Sequence, residues 1–182
     1  MINNKKEIFL KISLYTIIGF IYIILLDYIF NVIDVYYNFV LYLLIINYIF
    51  LCFGLFIKNK IFIKINYGIM IFILLFLRDS ETGYNFDFYL ISWLKHLKTN
   101  KIVLINIIGN IILFIPLGIM NKKIIYSILI IILIEVLQLI LKKGIFDIVD
   151  IVLNTIGTII GTLGVYIWMI IKKKNNLTSK KI

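Results

Sequence analysis

Cysteine, histidine and acidic residues are scarce in this chain of 182 residues. Cys52 is the single cysteine, which excludes an internal disulfide and a thiolate metal site. His96 is the single histidine, and it follows Lys95 in an amphipathic stretch where a surface position is the simplest interpretation. No G-x-S-x-G motif occurs, and no apolar run holds a Ser–His pair. The sequence therefore gives no support to a serine nucleophile.

Apolar residues, by contrast, make up 63% of the chain, and the mean hydropathy is +1.08. Soluble domains are typically about 45–50% apolar, and a chain this short cannot bury the excess in one aqueous core. The formal charge of +10 comes from 19 Lys and Arg against 9 Asp and Glu. Because the basic residues form short clusters between apolar runs, they are expected to orient membrane helices and not to bind nucleic acid.

The apolar runs predict an all-α, polytopic membrane protein with about six transmembrane helices in one bundle. The N-terminus begins like a signal peptide, but its apolar stretch is too long and no A-x-A-like cleavage site follows, so it is expected to remain as a first span. The predicted spans lie near residues 8–30, 39–57, 61–77, 102–120, 124–141 and 148–171.

The distribution of charge predicts the orientation of these spans. With six spans both termini share one side, and that side receives thirteen of the 19 Lys and Arg. The excess belongs inside the cell, which makes both termini cytoplasmic in a bacterial cytoplasmic membrane. The six basic residues expected outside are Arg78, Lys95, Lys98, Lys101, Lys142 and Lys143.

Three segments follow from this arrangement. Residues 1–77 hold three N-terminal transmembrane helices, 78–171 hold an outer loop and three further helices, and 172–182 form a basic cytoplasmic tail. The outer loop mixes charged and aromatic residues, which favours a short helix lying on the membrane surface. Asn47, in the second span, is expected to be a lone packing amide.

Polar residues enter the last three spans as stripes, each on one helical face. Asn106 and Asn110 are four residues apart, and Glu135, Gln138 and Lys142 follow spacings of three and four. The third stripe runs along the sixth span and consists of Asp147, Asp150, Asn154, Gly157, Gly161 and Gly164. Three consecutive helices are therefore each expected to carry one polar face.

The stripes are predicted to meet at a common depth. A rise of about 1.5 Å per residue puts Asn106 roughly 6 Å, Asn110 roughly 12 Å, and Glu135 and Asn154 roughly 9 Å below the outer boundary. An ionisable residue near a helix centre costs about 2.5–3.5 kcal/mol, which indicates an interior position and a function. We expect the asparagine amides to donate to Glu135; the alternative is that the amides only join helices.

Three further features concern structure and metal binding. Pro116 can be held in the fourth span because neighbouring groups satisfy the freed carbonyl, and Gly118, Gly157 and Gly161 are expected to let helices approach closely. No cofactor is evident from the sequence. Carboxylates with nearby amides could hold a divalent cation such as Mg²⁺ or Ca²⁺, although the spacing of Asp147 and Asp150 is a weak signal.

These motifs resemble the VanZ-like family of bacterial membrane proteins over about residues 78–165. The resemblance is carried by NIIGNIILFIPLG at 106–118, by E-x-x-Q at 135–138 and by GIFDIVDIVLNTIGTIIG at 144–161, while the first three spans add nothing to it. Arg78 and Asn85 are similar to an upstream Arg and Asn of the family, but Asp87 replaces the usual Pro of a Pro-Phe pair. Val149 stands where many relatives carry another acid.

The resemblance implies a role in the cell envelope. The family takes its name from a protein that lowers susceptibility to the glycopeptide antibiotic teicoplanin, without an assigned reaction. The functional residues implied are Asn106, Asn110, Glu135, Gln138, Asp147, Asp150 and Asn154, with Arg78 and Asn85 as contributors. Lys142, from the stripe of Glu135 and Gln138, is a further candidate contributor.

The class of function stays open at this point. One alternative is a membrane enzyme that modifies a lipid-linked or lipid-phosphate envelope substrate, and another is a non-catalytic scaffold or accessory subunit. The expected partners are membrane lipids and an envelope precursor or other lipid-linked ligand, without nucleic acid. The sequence does not determine the oligomeric state.

Overall fold

The computed structural model describes residues 2–33, 37–78, 83–85, 100–121 and 123–178, and it gives side chains for all of these except 2–6, 84–85 and 174–178. The surface helix predicted in the outer loop, together with His96, lies outside the described residues. The chain divides into two compact units, Met1–Asp79 and Ser80–Ile182.

The described residues form six helices and two strands of three residues each. The elements in chain order are α1 (Ile2–Ile33), α2 (Asn38–Phe56), α3 (Lys60–Phe76), β1 (Gly83–Asn85), α4 (Lys101–Met120), α5 (Ile124–Ile140), β2 (Ile145–Asp147) and α6 (Ile148–Thr178). Helices α1 and α6 continue beyond the predicted spans because a helix does not have to end where its residues become polar.

Four helices of the described ranges are long and apolar enough to cross a membrane: Glu7–Ile33, Asn38–Phe56, Lys101–Met120 and Ile148–Lys173. Helices α3 and α5 are shorter, at 17 residues each. Large apolar side chains point outward, as at Phe9 and Ile61, which are 70% and 71% exposed. Such surfaces require lipid as solvent, so the prediction of an all-helical membrane protein is confirmed.

The first unit is built from α1, α2 and α3 around a small apolar core of Leu26, Val40, Leu44 and Ile73. Tyr48 of α2 contacts two tyrosines of α1. Its ring stacks on Tyr22 with the ring centroids 5.1 Å apart, and its hydroxyl donates to the Tyr15 carbonyl over 2.7 Å.

A tight turn joins α2 to α3. Lys58 takes a left-handed φ of 55° and donates its N–H to the Leu55 carbonyl over 3.2 Å, while the N–H of Asn59 reaches the Gly54 carbonyl over 3.1 Å. This is the Schellman pattern, which satisfies the last carbonyls of a helix. Asn59 then caps α3 by accepting the N–H of Ile61 over 3.1 Å. The two helices therefore form an antiparallel hairpin.

Within that hairpin Asn47 is paired with Asn66, so the interpretation of Asn47 as a lone amide was wrong. The Asn47 Nδ2 donates to both the carbonyl and the Oδ1 of Asn66 over 3.1 Å, and the Asn66 Nδ2 donates to the Asn47 carbonyl over 3.1 Å. Both side chains are buried. An amide in hydrocarbon requires such partners because no water is present to replace them.

In the second unit α4 and α6 run parallel, and α5, which connects them in the chain, runs in the opposite direction. The direction follows from contacts that advance together along both helices: Asn110 with Asp150, Phe114 with Thr158, and Gly118 with Thr162.

Glycines let α4 and α6 touch backbone to backbone. A Cβ added at Gly157 would overlap the Ile111 carbonyl oxygen, and one at Gly161 would overlap that of Ile115. From the other helix, a Cβ at Gly118 would overlap the carbonyl oxygen of Thr158. Pro116 lies inside α4. Ile112 lies one turn earlier on the same helix.

A short parallel pairing precedes α6. Strand β1 pairs with β2 in a register that sets the Cα of Asn85 opposite that of Asp147. The turn before β2 ends α5 in a second Schellman pattern, with Lys142 at φ 53° and the Lys143 N–H donating to the Gln138 carbonyl over 2.8 Å. These two features fix where α6 begins.

Candidate functional site

The site is built around the first turns of α6. Asp147 immediately precedes the helix, and its Oδ1 accepts the Val149 N–H over 2.8 Å, which is the bond of an N-cap residue. Asp150 follows in the first turn. Both acids therefore lie at the positive end of the helix dipole, where a carboxylate is stabilised.

Asp150 connects α6 to α4. The Asn110 Nδ2 donates to Asp150 Oδ1 over 2.6 Å, across 40 residues of sequence. This bond joins two of the predicted stripes. Because the Asn110 amide N–H donates to the carboxylate, the amide oxygen of Asn110 is left as an acceptor for other groups.

Asn154 lies one turn further along α6, between two contacts with α4. Asp150 before it accepts from Asn110, and Thr158 after it donates to the Phe114 carbonyl over 3.5 Å. The Asn154 side chain is 2% exposed, and its Oδ1 has no hydrogen-bond partner among the described residues. An acceptor buried in this way is a place for a donor.

Helix α5 contributes Glu135 and Gln138, each 3% exposed. They belong to the buried face of α5, which also includes Ser127, Ile131 and Ile134. From the rise per residue, Glu135 lies about 8 Å before the end of α5 and Asn154 about 9 Å after the start of α6. A short turn joins these two helix ends. The two side chains are therefore at similar depth.

Some predicted residues lie apart from this arrangement. Asn106 is exposed and makes no side-chain hydrogen bond to a described residue. Asn110 donates to Asp150 and not, as expected, to Glu135. Lys142 is exposed in the turn after α5.

Of the two other residues named as contributors, Arg78 is described in full and Asn85 in its backbone only. Arg78 lies in the first unit, and its Nε is buried without a hydrogen-bond partner in the described ranges. The backbone of Asn85 is the register partner of Asp147.

Threonines were missed by the sequence interpretation. Thr158 is fully buried, and Thr162 donates to the Gly118 carbonyl over 3.3 Å. Each also donates to the carbonyl one turn earlier on α6, at Asn154 and Thr158. The signal was present, because residues 154, 158 and 162 continue the polar stripe at spacings of four.

The buried polar side chains of this unit include both donors and acceptors. Buried polar residues of the second unit, where described, are Ser127, Glu135, Gln138, Asp147, Asn154 and Thr158, with no Lys or Arg among them. The described residues contain no group of three or more His, Cys, Asp or Glu that could hold a metal ion.

Comparison with known proteins identifies the family. The VanZ/LLP1 family model matches residues 39–171, more than half of the chain. The match begins in α2, so the expectation that the first three spans add nothing to the resemblance was wrong for α2 and α3, while α1 lies before it. No curated protein and no solved structure matches the chain. The chain belongs to the VanZ/LLP1 family.

Proposed function

We propose that this membrane protein acts at the outer leaflet of the bacterial cytoplasmic membrane, where the polar residues of its second unit bind cell-envelope material. Lowered susceptibility to glycopeptide antibiotics such as teicoplanin is one consequence. The observation that carries the proposal is the hydrogen bond from Asn110 to Asp150, which joins the stripes of α4 and α6.

The burial of polar groups supports a function for this site. Glu135, Gln138 and Asn154 are each 2–3% exposed in a unit made of apolar helices. Ionisable residues within membrane helices are costly, and they usually mark a binding site or a pathway.

The outward orientation of the site rests on six spans with cytoplasmic termini. The asymmetry of Lys and Arg supports this topology. The 17 residues of α3 and of α5 reach about 25 Å, near the lower limit for a span. Lys60 and Lys123 flank these helices and could snorkel to the headgroups.

Cysteine labelling tests the orientation with little background, because Cys52 is the single native cysteine. In a Cys52→Ser chain, Lys142→Cys should react with a membrane-impermeant maleimide in intact cells. Lys123→Cys should react only after permeabilisation. The opposite pattern would place the site on the cytoplasmic side and remove the basis of the proposal.

Drug tolerance tests the function itself. A susceptible bacterial host expressing the chain should tolerate more teicoplanin than the empty host, and Glu135→Gln or Asn154→Ala should abolish the difference at equal membrane abundance. Asp27→Asn and Asn31→Ala are matched controls, since these exposed α1 residues form a hydrogen bond with each other over 3.3 Å and precede the family match.

Two results would contradict the proposal. Unchanged tolerance in both site variants would show that the polar residues are not used. A loss of tolerance that follows a loss of protein in the membrane would assign the same side chains to helix packing, as in a scaffold.

A further inference from the structure

A groove between α2 and α3 is lined by residues of the first unit only. This α2–α3 groove has a volume of about 320 Å³, within the range of about 300–1,000 Å³ that is usual for small-molecule sites. Its buried lining includes Asn47 and Asn66, while Ile46 and Ile65 line it with exposed side chains. The groove therefore opens to the surroundings of the two helices, which in a membrane are lipid.

The two asparagines of the groove leave no N–H group for a polar ligand. The Asn47 Nδ2 donates to the carbonyl and the Oδ1 of Asn66 over 3.1 Å. The Asn66 Nδ2 donates to the carbonyl and the Oδ1 of Asn47 over 3.1 and 3.5 Å. An amide nitrogen has two N–H donors, so both amides are fully used. Since every other lining residue is Leu, Ile or Phe, the groove fits an apolar group.

The length of the groove matches a lipid chain within one leaflet. The groove follows α3 from Phe62 to Ile73, which is about 16 Å along the helix axis. Half of a hydrocarbon core of about 30 Å is about 15 Å. Phe62 lies at the end near the α2–α3 turn, where its ring centroid is 6.4 Å from that of Phe50 and 6.0 Å from that of Phe53. An acyl chain that enters beside this turn therefore spans the groove.

Positive charge lies at the turn end of the groove. Three exposed lysines lie within about one helical turn of Phe62 along the chain: Lys58, Lys60 and Lys64. The described acids of the first unit do not neutralise this charge. Glu7 is paired with Lys11, and Asp27 follows Leu26, which packs with Val40 at the other end of α2. The turn therefore favours an anionic headgroup.

The lysines act on such a headgroup mainly through their electrostatic potential. Lys60 and Lys64 lie on the face of α3 that turns away from the groove residues Phe62, Ile69 and Ile73. The width of a helix, about 10 Å, thus separates their side chains from the groove. At that distance the attraction is moderate and no direct ion pair is required.

We propose that the α2–α3 groove binds one acyl chain of an anionic phospholipid, with its phosphate headgroup near the lysines of the α2–α3 turn. Lipid already surrounds the apolar outer faces of a membrane protein, so apolar burial alone gives this chain no advantage over its neighbours. The advantage comes from van der Waals contacts along a groove that would otherwise lack them, and from the charge at its end. Because only α2 and α3 are involved, this binding is independent of the proposed function.

Photolabelling tests the acyl chain on the purified full-length protein in mixed micelles. The probe is phosphatidylglycerol with a diazirine in the middle of one acyl chain, and the labelled residues are mapped by mass spectrometry. A chain held in the groove should label Ile46 and Asn47 several-fold more than Ile49, which belongs to the same helix but does not line the groove. Unspecific lipid contact would label the more exposed Ile49 at least as strongly.

Ile46→Trp and Ile49→Trp are a matched pair of filling variants. The two isoleucines lie about one turn apart on α2 and are 48% and 62% exposed, but only Ile46 lines the groove. Ile46→Trp should fill the groove and reduce the labelling of Asn66 several-fold, whereas Ile49→Trp should leave it unchanged. If Ile46→Trp does not fold, the map of labelled residues on the native chain decides alone.

Phosphatidylcholine with the same photoreactive chain tests the headgroup. Phosphatidylglycerol should label the groove about 5-fold more strongly, from the attraction of three lysines at roughly 10 Å. Joint replacement by glutamine of Lys58, Lys60 and Lys64 should remove this preference. The control is joint replacement by glutamine of three exposed lysines of the second unit, Lys123, Lys172 and Lys173, which makes the same change in charge and should keep the preference.

Each contrary result removes a defined part of the proposal. Equal labelling of Ile46 and Ile49 in the native chain, or of Asn66 in the two tryptophan variants, would overturn the bound acyl chain. Equal labelling by the two headgroups would overturn the anionic lipid. Labelling of the groove that disappears as the chain self-associates would show that a second copy covers the groove in place of a lipid.

Discussion

Replacing Gly157 by alanine examines whether α4 and α6 touch through their backbones. The added Cβ would overlap the Ile111 carbonyl oxygen. That oxygen belongs to a helical main chain, so it cannot rotate away as a side chain would. The helices must separate until Cβ and oxygen reach an ordinary contact of 3.4–4 Å.

The expected cost follows from three terms. Overpacking typically destabilises by about 1–3 kcal/mol. Separation also weakens the bonds from Thr158 to Phe114 and from Thr162 to Gly118, now 3.5 and 3.3 Å long, at about 0.6 kcal/mol each in a membrane. Alanine regains about 0.5–1 kcal/mol of helix propensity over glycine. The net loss of unfolding free energy should be about 1–4 kcal/mol.

The assay is unfolding of the purified protein in mixed micelles by added denaturing detergent. Gly164→Ala is the control, because Gly164 lies on the same stripe of α6 and its added Cβ meets nothing within 4 Å. That control should be neutral or more stable by up to about 1 kcal/mol. If Gly157→Ala is as stable as Gly164→Ala, the backbone contact does not exist and the reasoning fails.

Two further predictions use the same unfolding assay. Asn66→Leu should lower the free energy of unfolding by about 1–3 kcal/mol because the buried Asn47 amide loses a partner. Adding Asn47→Leu to that variant should lower it by less than a second independent loss would, and strictly additive losses would contradict the pairing. Asp147→Ala should lower the free energy of unfolding by about 1 kcal/mol because the bond to the Val149 N–H is lost. Asp147→Asn should keep most of that stability, since an amide oxygen also caps a helix. Equal losses in the two Asp147 variants would attribute the effect to charge and not to capping.

Much of the second unit was predictable from local patterns. The apolar runs predicted spans at 102–120 and 124–141. The structure has α4 at Lys101–Met120 and α5 at Ile124–Ile140. Hydropathy succeeds here because lipid forces each crossing segment to satisfy its own backbone hydrogen bonds as a helix. The spacing of three and four likewise indicated which polar residues share a face.

The partners of those faces were not predictable in the same way. Asn110 was expected to donate to Glu135, whereas it donates to Asp150, 40 residues further on. Asn47 was expected to pack alone, whereas Asn66 completes its amide pair, 19 residues further on. Spacing within a helix defines a face, but it does not determine how that helix is rotated against its neighbours.

The three-residue strands β1 and β2 had no sequence signal either. Three residues are too few to show the alternation that marks a strand, and they pair only because the chain brings them side by side in parallel. Their pairing sets Asn85 opposite Asp147 at the start of α6.

The sequence by itself determined that this chain is a membrane protein, which segments are helical and which side of each helix is polar. These properties depend on neighbours within a few residues. Only the tertiary structure decided that Gly118, Gly157 and Gly161 bring α4 and α6 into backbone contact and that Asp150 meets Asn110. The physical reason is that helix rotation and helix distance are set by close packing between segments far apart in the chain. A single Cβ at such a contact changes both.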